Sequence, residues 1–234
     1  MKILNWVWRI FAYGVGACVL LIVLVQMWFF AHVLYWDRFN PGMTSVMERR
    51  LGELRAKNRA AELKYRWVDY GRISNHLKRA VVAAEDAKFI DHEGFDWEGI
   101  QRAMERNQKR GKVVAGGSTI SQQLAKNLFL SGERSMLRKG EEAIITLMLE
   151  AVMSKRRILE LYLNVAEWGE GIFGAEAAAR HYYGIGAANI GPDQAARLAA
   201  MLPRPRFYDR NRDSRYLAQY SERILVRMPS AQLP

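Results

Sequence analysis

Residues 74–86 read Ser-Asn-His-Leu-Lys-Arg-Ala-Val-Val-Ala-Ala-Glu-Asp. An apolar stripe passes through Leu77, Ala80, Val81 and Ala84 at helical spacing, and Ser74 or Asn75 can cap the helix start by accepting a backbone N–H. The stretch closes on two adjacent acids, Glu85 and Asp86. Glu85 follows two valines and two alanines, so packing of the apolar face draws its carboxyl toward partial burial. Burial disfavours the ionised form, raises the pKa and suits the group to proton transfer near neutral pH. An exposed acid at a helix end is the alternative reading of the same residues.

The helical pattern extends in both directions. Upstream, Asn40-Pro41-Gly42 marks a turn. Thr44 to Lys64 then reads as an amphipathic helix with Val46, Met47, Leu51 and Leu54 on one side. Downstream, Asp96 starts a helix that runs past Ile100 and Met104 to a stop near Gly111, and Asn107–Gly117 (NQKRGKVVAGG) reads as a mobile basic loop. Thr119 and Gln122 have the spacing of a capping box, opening a helix through Leu124 and Leu128. Ser135 caps a long helix containing Ile144, Leu147 and Met148. Ile158–Leu163 is helical with Asn164 at its end, Pro192 suits a first helical turn, and a last helix covers Ser214 to Met228. Strand signals are few and short. The expected fold class is mainly α.

Ahead of all this lies Ile10–Ala31, IFAYGVGACVLLIVLVQMWFFA, which carries no charge. As a helix it spans about 33 Å, enough for a bilayer core of about 30 Å. Trp6 and Trp8 precede it and Trp28, Tyr35 and Trp36 mark its far end, the placing expected of interfacial aromatic rings. The run exceeds the ~7–15 residue core of a cleaved signal peptide, and no small-x-small site follows. One transmembrane anchor is therefore expected. Lys2, Arg9 and the terminal amine on one side nearly balance Arg38, Arg49 and Arg50 on the other, so charge alone leaves the orientation open.

The 234 residues allow one catalytic domain plus this anchor. Lys and Arg total 35 against 24 Asp and Glu, a net charge of +11 that favours an anionic partner: nucleic acid, anionic lipid or a phosphorylated substrate. Cys18 is the only cysteine, so no intramolecular disulfide can form. His32, His76, His92 and His181 lie far apart in the chain, and no zinc pattern is present. Without a helix-turn-helix, RNA-binding or zinc motif, a nucleic-acid partner is not expected.

Four stretches carry chemistry. The first is Glu85-Asp86-Ala87-Lys88-Phe89-Ile90-Asp91-His92-Glu93-Gly94. The second runs Gly116-Gly117-Ser118-Thr119-Ile120-Ser121-Gln122-Gln123-Leu124-Ala125-Lys126-Asn127; glycines feeding a helix start present free N–H groups that attract phosphate, although the P-loop spacing is absent. The third joins Arg134 to Arg138-Lys139-Gly140-Glu141-Glu142, where cations spaced along a helix can hold a pyrophosphate or form ordinary surface ion pairs. The fourth is Lys155–Asn164 (KRRILELYLN), whose Ile158, Leu159, Tyr162 and Leu163 read as core.

Taken in order, these stretches resemble the motifs of the peptidoglycan glycosyltransferases, glycosyltransferase family 51: ED-x-x-F-x-x-H-x-G, GGST-I-x-QQL-x-KN, RK-x-x-E and K-x-x-ILE-x-YLN. The resemblance covers about residues 74–210. Thr146 departs from it, standing where the third motif often has alanine. The S-x-x-K and K-T-G motifs of a transpeptidase are missing, so a monofunctional polymerase is expected.

The resemblance implies a lysozyme-like, two-lobed helical domain whose smaller jaw touches the membrane. Its substrates would be lipid II and a glycan chain on undecaprenyl pyrophosphate, at the outer face of the cytoplasmic membrane. That places the N-terminus in the cytoplasm and the catalytic domain in the periplasm. Glu85 would be the general base, taking the proton of the acceptor's 4-hydroxyl, and Glu142 the second acid on the leaving-group side. Lys126, Arg134 and Arg138 would stabilise the pyrophosphate; Ser118, Thr119, Gln123 and Asn127 would hydrogen-bond sugar and phosphate; Asp86 would support Glu85. Inhibitors of the moenomycin type would mimic the donor's phosphate. No cofactor is obligatory, and a divalent cation is compatible with the pyrophosphate without being required. Proteins of cell-wall synthesis or division are the expected partners. The expected layout is a cytoplasmic tail (1–9), an anchor (10–36), a membrane-proximal linker and jaw region (37–73), the glycosyltransferase domain (74–228) and a tail (229–234). A lysozyme-like glycan-cleaving enzyme is the alternative within the same chemistry. The basic cluster argues against it, because a hydrolase has no pyrophosphate to hold.

Overall fold

The computed structural model describes residues 2–111, 116–130, 132 and 135–234. The chain divides into two compact units, Met1–Asn40 and Pro41–Pro234. The first is the helix α1, Lys2–Arg38, longer at both ends than the apolar core that marks it in the sequence. Its Trp8–Arg38 portion contains an 18-residue stretch of mean hydropathy 2.4 and is long and apolar enough to cross a membrane. Leu20, Leu21 and Ile22 present their side chains outward, as a lipid-facing helix does.

The second unit is built mainly of helices. The first, α2, spans Ser45–Lys57 with Thr44 as its cap. It stops short of the expected Lys64 because Asn58 turns the chain, its carbonyl accepting the N–H of Ala61 and its side chain that of Ala60. The chain then enters a short strand, β1 (Lys64–Tyr65). Ser74 caps α3, Asn75–Glu85, through the N–H of His76. Asp96 caps α4, Trp97–Arg110, which ends at left-handed Gly111. Residues 107–110, expected in a loop, thus finish a helix, while 112–115 of that stretch lie outside the described residues.

Thr119 and Gln122 form the expected capping box at α5, Ile120–Phe129. Next come α6 (Met136–Val152), capped by Ser135, and α7 (Lys155–Val165), capped by Ser154. Strands β2 (Glu167–Gly169) and β3 (Ile172–Phe173) follow, then α8 (Ala175–Tyr183), α9 (Pro192–Met201), α10 (Pro205–Arg210) and α11 (Arg215–Arg227). The strands order as β1-β3-β2, with Lys64 beside Ile172 in the parallel pair and Gly169 beside Ile172 in the antiparallel one.

Two packing groups position the site. Helix α3, which carries Glu85, lies against α9 and α11, while α5 lies against α2, α6 and α7. Leu77, Val81, Ile120, Leu124, Ile145, Leu149, Ile158 and Leu161 are buried between them. Full burial of each such side chain stabilises by about 1.5–3 kcal/mol.

Residue Asn164 does not end its helix as the sequence suggested. It is fully buried near the end of α7, where its amide accepts the N–H of Val68 and donates to the Val68 carbonyl, both at 2.9 Å. Glu160, one turn earlier, accepts the N–H of Tyr70 at 2.6 Å. These bonds fasten the 68–70 segment to α7, so residues 41–73 fold with the domain. The close approach at Gly174 (φ +84) helps: a Cβ there would meet the Asn164 carbonyl oxygen at 2.7 Å.

Candidate active site

The apolar face of α3 delivers Glu85 half-buried to the floor of a cavity of about 1010 Å³. Ser118 and Gln123 share its lining with Arg106 of α4 and with Tyr220 and Arg227 of α11. Gln123, on α5, donates from Nε2 to a Glu85 oxygen at 2.7 Å, and its Oε1 accepts from the Tyr162 hydroxyl at 3.1 Å. Burial pushes the Glu85 carboxyl above its ordinary pKa. The Gln123 bond and the Lys126 charge pull the other way, and the neighbouring Asp86 adds to the rise. A carboxyl whose pKa is raised by burial, beside an open cavity, is equipped to accept a proton.

Neighbouring Asp86 is buried. Its buried carboxylate accepts from His92 Nε2 at 2.9 and 3.1 Å and from the Ile120 N–H at 3.0 Å. His92 Nδ1 in turn meets the Gly94 N–H at 3.1 Å. The Thr119 hydroxyl donates to the Gly94 carbonyl at 2.7 Å. Thr119, expected among the substrate contacts, and Asp86, expected to support Glu85, thus join the first motif to the start of α5. Gly94 sits at φ +90, where a Cβ would meet the Thr146 methyl at 2.8 Å. Thr146 itself is fully buried and donates to the Glu142 carbonyl at 2.7 Å, so this departure from the family pattern is absorbed in packing.

Residue Glu142 is buried on α6, ion-paired with Lys139 and, at 3.6 Å, with Arg138. Lys126 and Asn127 lie half-buried on α5. Arg134 lies outside the described residues. Among the described residues no group of three or more His, Cys, Asp or Glu could hold a metal ion.

Several contributors went unnoticed in the sequence. Arg106, Tyr220 and Arg227 reach the cavity from α4 and α11, which carry no family motif. Tyr162 read as core, and it is buried, yet its hydroxyl bonds to the side chain beside Glu85. Lys155, from the fourth motif, pairs with Glu150 at 2.8 Å and donates to the His92 carbonyl. Glu150 also accepts from Ser121 of α5, so one carboxylate links the second and fourth motifs.

Comparison with known proteins agrees with the motif order. The family profile described as Transglycosylase matches residues 51–229. Similar proteins include the biosynthetic peptidoglycan transglycosylase of Dechloromonas aromatica (strain RCB), 64% identical over 214 residues, covering 92% of this chain and 93% of the relative. That of Nitrosospira multiformis is 58% identical over 98% of each chain. That of Laribacter hongkongensis is 58% identical over 99% of this chain and 100% of its own.

Proposed function

The chain belongs to the transglycosylase family, and from that premise we propose how it acts as a membrane-anchored polymerase of peptidoglycan glycan strands. The substrates are lipid II and a growing glycan chain on undecaprenyl pyrophosphate. Glu85 removes the proton of the acceptor's 4-hydroxyl as its oxygen attacks the anomeric carbon of the growing chain. The anomeric centre inverts and undecaprenyl pyrophosphate leaves. The observation that carries this reading is Glu85 itself: half-buried, raised in pKa by that burial, hydrogen-bonded by Gln123 and open to a cavity of about 1010 Å³.

Lys126, Arg134 and Arg138 stabilise the charge that gathers on the leaving pyrophosphate. Preorganised donors of this kind are worth about 3–4 kcal/mol each in well-studied enzymes. Glu142, ion-paired with Arg138 and Lys139, is the second acid on the leaving-group side and keeps Arg138 in place. Ser118 contacts the sugar at the cavity, and Asn127 the phosphate. A divalent cation can screen the pyrophosphate, and no step depends on it. The helix α1 anchors the domain, with the N-terminus in the cytoplasm and the catalytic unit in the periplasm, where other wall-synthesis or division proteins are its partners.

The test is incubation of the full chain with labelled lipid II in detergent. A polymer that lysozyme degrades is expected. Cleavage of preformed glycan without polymer would favour the glycan-cleaving alternative.

A further inference from the structure

Tyr162 is buried in the protein, 1% exposed, and is not part of the cavity lining. Its hydrogen bond is nonetheless spent on the amide that faces Glu85. A glutamine side chain is ambivalent: rotated by half a turn, it would present its oxygen, an acceptor, to the carboxylate and repel it. The carboxylate accepts only, and a tyrosine hydroxyl donating to Oε1 adds to its preference for the rotamer that leaves Nε2 toward Glu85. We propose that Tyr162 is a positioning residue for the base, locking the Gln123 amide so that its N–H groups face the Glu85 carboxylate.

The chain of contacts runs from α7 through α5 to α3. Its anchor is firm, because α7 is fixed by Glu160 and Asn164 at the 68–70 segment and by Lys155 at the first motif. Among the described residues, the charged and titratable groups around Glu85 include Asp86 next to it in the chain, Lys126 on α5, Tyr162 on α7, Tyr216, Tyr220, Glu222, Arg223 and Arg227 on α11 and Arg106 on α4. Burial, together with the nearby Glu85 and Asp86 carboxylates, holds the Tyr162 phenol well above its ordinary pKa, so it remains a donor throughout the working range. With the lock removed, the amide samples both orientations and Glu85 loses part of the bond that favours its ionised form. The base then titrates at higher pH. The proposal rests on Glu85 being the base.

The experiment is the pH dependence of lipid II polymerisation by the full chain, comparing wild type with Tyr162→Phe, Gln123→Met and the double variant. Tyr162→Phe removes one oxygen, and Gln123→Met keeps the packing of α5, so either alone preserves the test if the other fails to fold. The acidic limb should move up by about one pH unit in each single variant, with rates recovering toward wild type at alkaline pH. The double variant should shift no further than Gln123→Met. A Tyr162→Phe profile that falls in parallel at every pH, or additive shifts in the double variant, would overturn the proposal. Glu85→Gln is the companion control: if it polymerises, the base assignment is lost and this proposal with it. An inactive Glu85→Gln beside a parallel Tyr162→Phe profile overturns the positioning role alone.

Discussion

The Asp86 carboxylate accepts the backbone N–H of Ile120 at 3.0 Å, so the residue after the base is bonded to the first turn of the helix that carries Gln123. These sequence neighbours have opposite tasks. Glu85 faces the cavity, and Asp86 holds α3 and α5 in register from inside the protein. Asp86→Asn keeps the shape but weakens two charge-assisted bonds, to His92 and to Ile120. A loss of about 2–3 kcal/mol in stability is expected, measured by denaturant unfolding, because hydrogen bonds to charged groups contribute about 1.5–3 kcal/mol each. Unchanged stability would show that the strap does not hold.

Ionising Glu85 costs the fold stability. Its pKa is raised in the native state, so the favourable contribution is complete below the unfolded pKa and disappears as pH rises through the folded one. Glu85→Gln, neutral at every pH, should melt above wild type at neutral pH. The difference should close below about pH 4, where the wild-type carboxyl is protonated in both states. A variant less stable than wild type at neutral pH would contradict a pKa raised by burial.

Glu150 and Lys155 form a half-buried pair that also touches Ser121 and the His92 carbonyl. Lys155→Ala leaves the Glu150 carboxylate without its cation. The expected loss is about 3 kcal/mol, the low end for a broken buried pair because a fifth of the lysine side chain remains exposed. Lys155→Met combined with Glu150→Gln should recover most of it. Failure of the double replacement to recover stability would mean that the lysine acts through its bond to His92 alone.

The helices α3 to α6 were legible because their starts are written in capping residues: Ser74, Asp96, Thr119 with Gln122, and Ser135 all act where their side chains say they should. The strands were not legible, since two or three residues carry no period, and β1 exists only through pairing with Ile172 and Phe173 over a hundred residues away. Helix α8 was missed because it begins at Gly174, whose positive φ reads locally as a breaker. At the site, Glu85 was recognisable from its apolar approach and the family motif. The bonds that Asp86 and Thr119 make to Ile120 and Gly94, and the bond of Gln123 to Tyr162, were not. A sequence lists donors and acceptors, whereas which of them meet is decided by residues dozens of positions away, as with Tyr162 and Gln123.

Charge and proton transfer separate in the cation cluster. Arg138→Ala removes a cation and one partner of Glu142, so it should slow polymerisation by about tenfold or more through weaker stabilisation of the leaving group, and weaken moenomycin binding as well. Arg138→Lys should restore part of both, because an ammonium lacks the bidentate fork. Normal moenomycin affinity in Arg138→Ala would show that this arginine holds Glu142 without meeting phosphate.

The central claim is that Glu85 is the base, and its most direct measurement is the initial rate of lipid II polymerisation by full-length Glu85→Gln at neutral pH, on protein whose thermal melting shows it folded. A loss of about 10²–10⁴-fold is predicted, the usual worth of general base catalysis. A folded Glu85→Gln enzyme retaining more than about a tenth of the wild-type rate would contradict it.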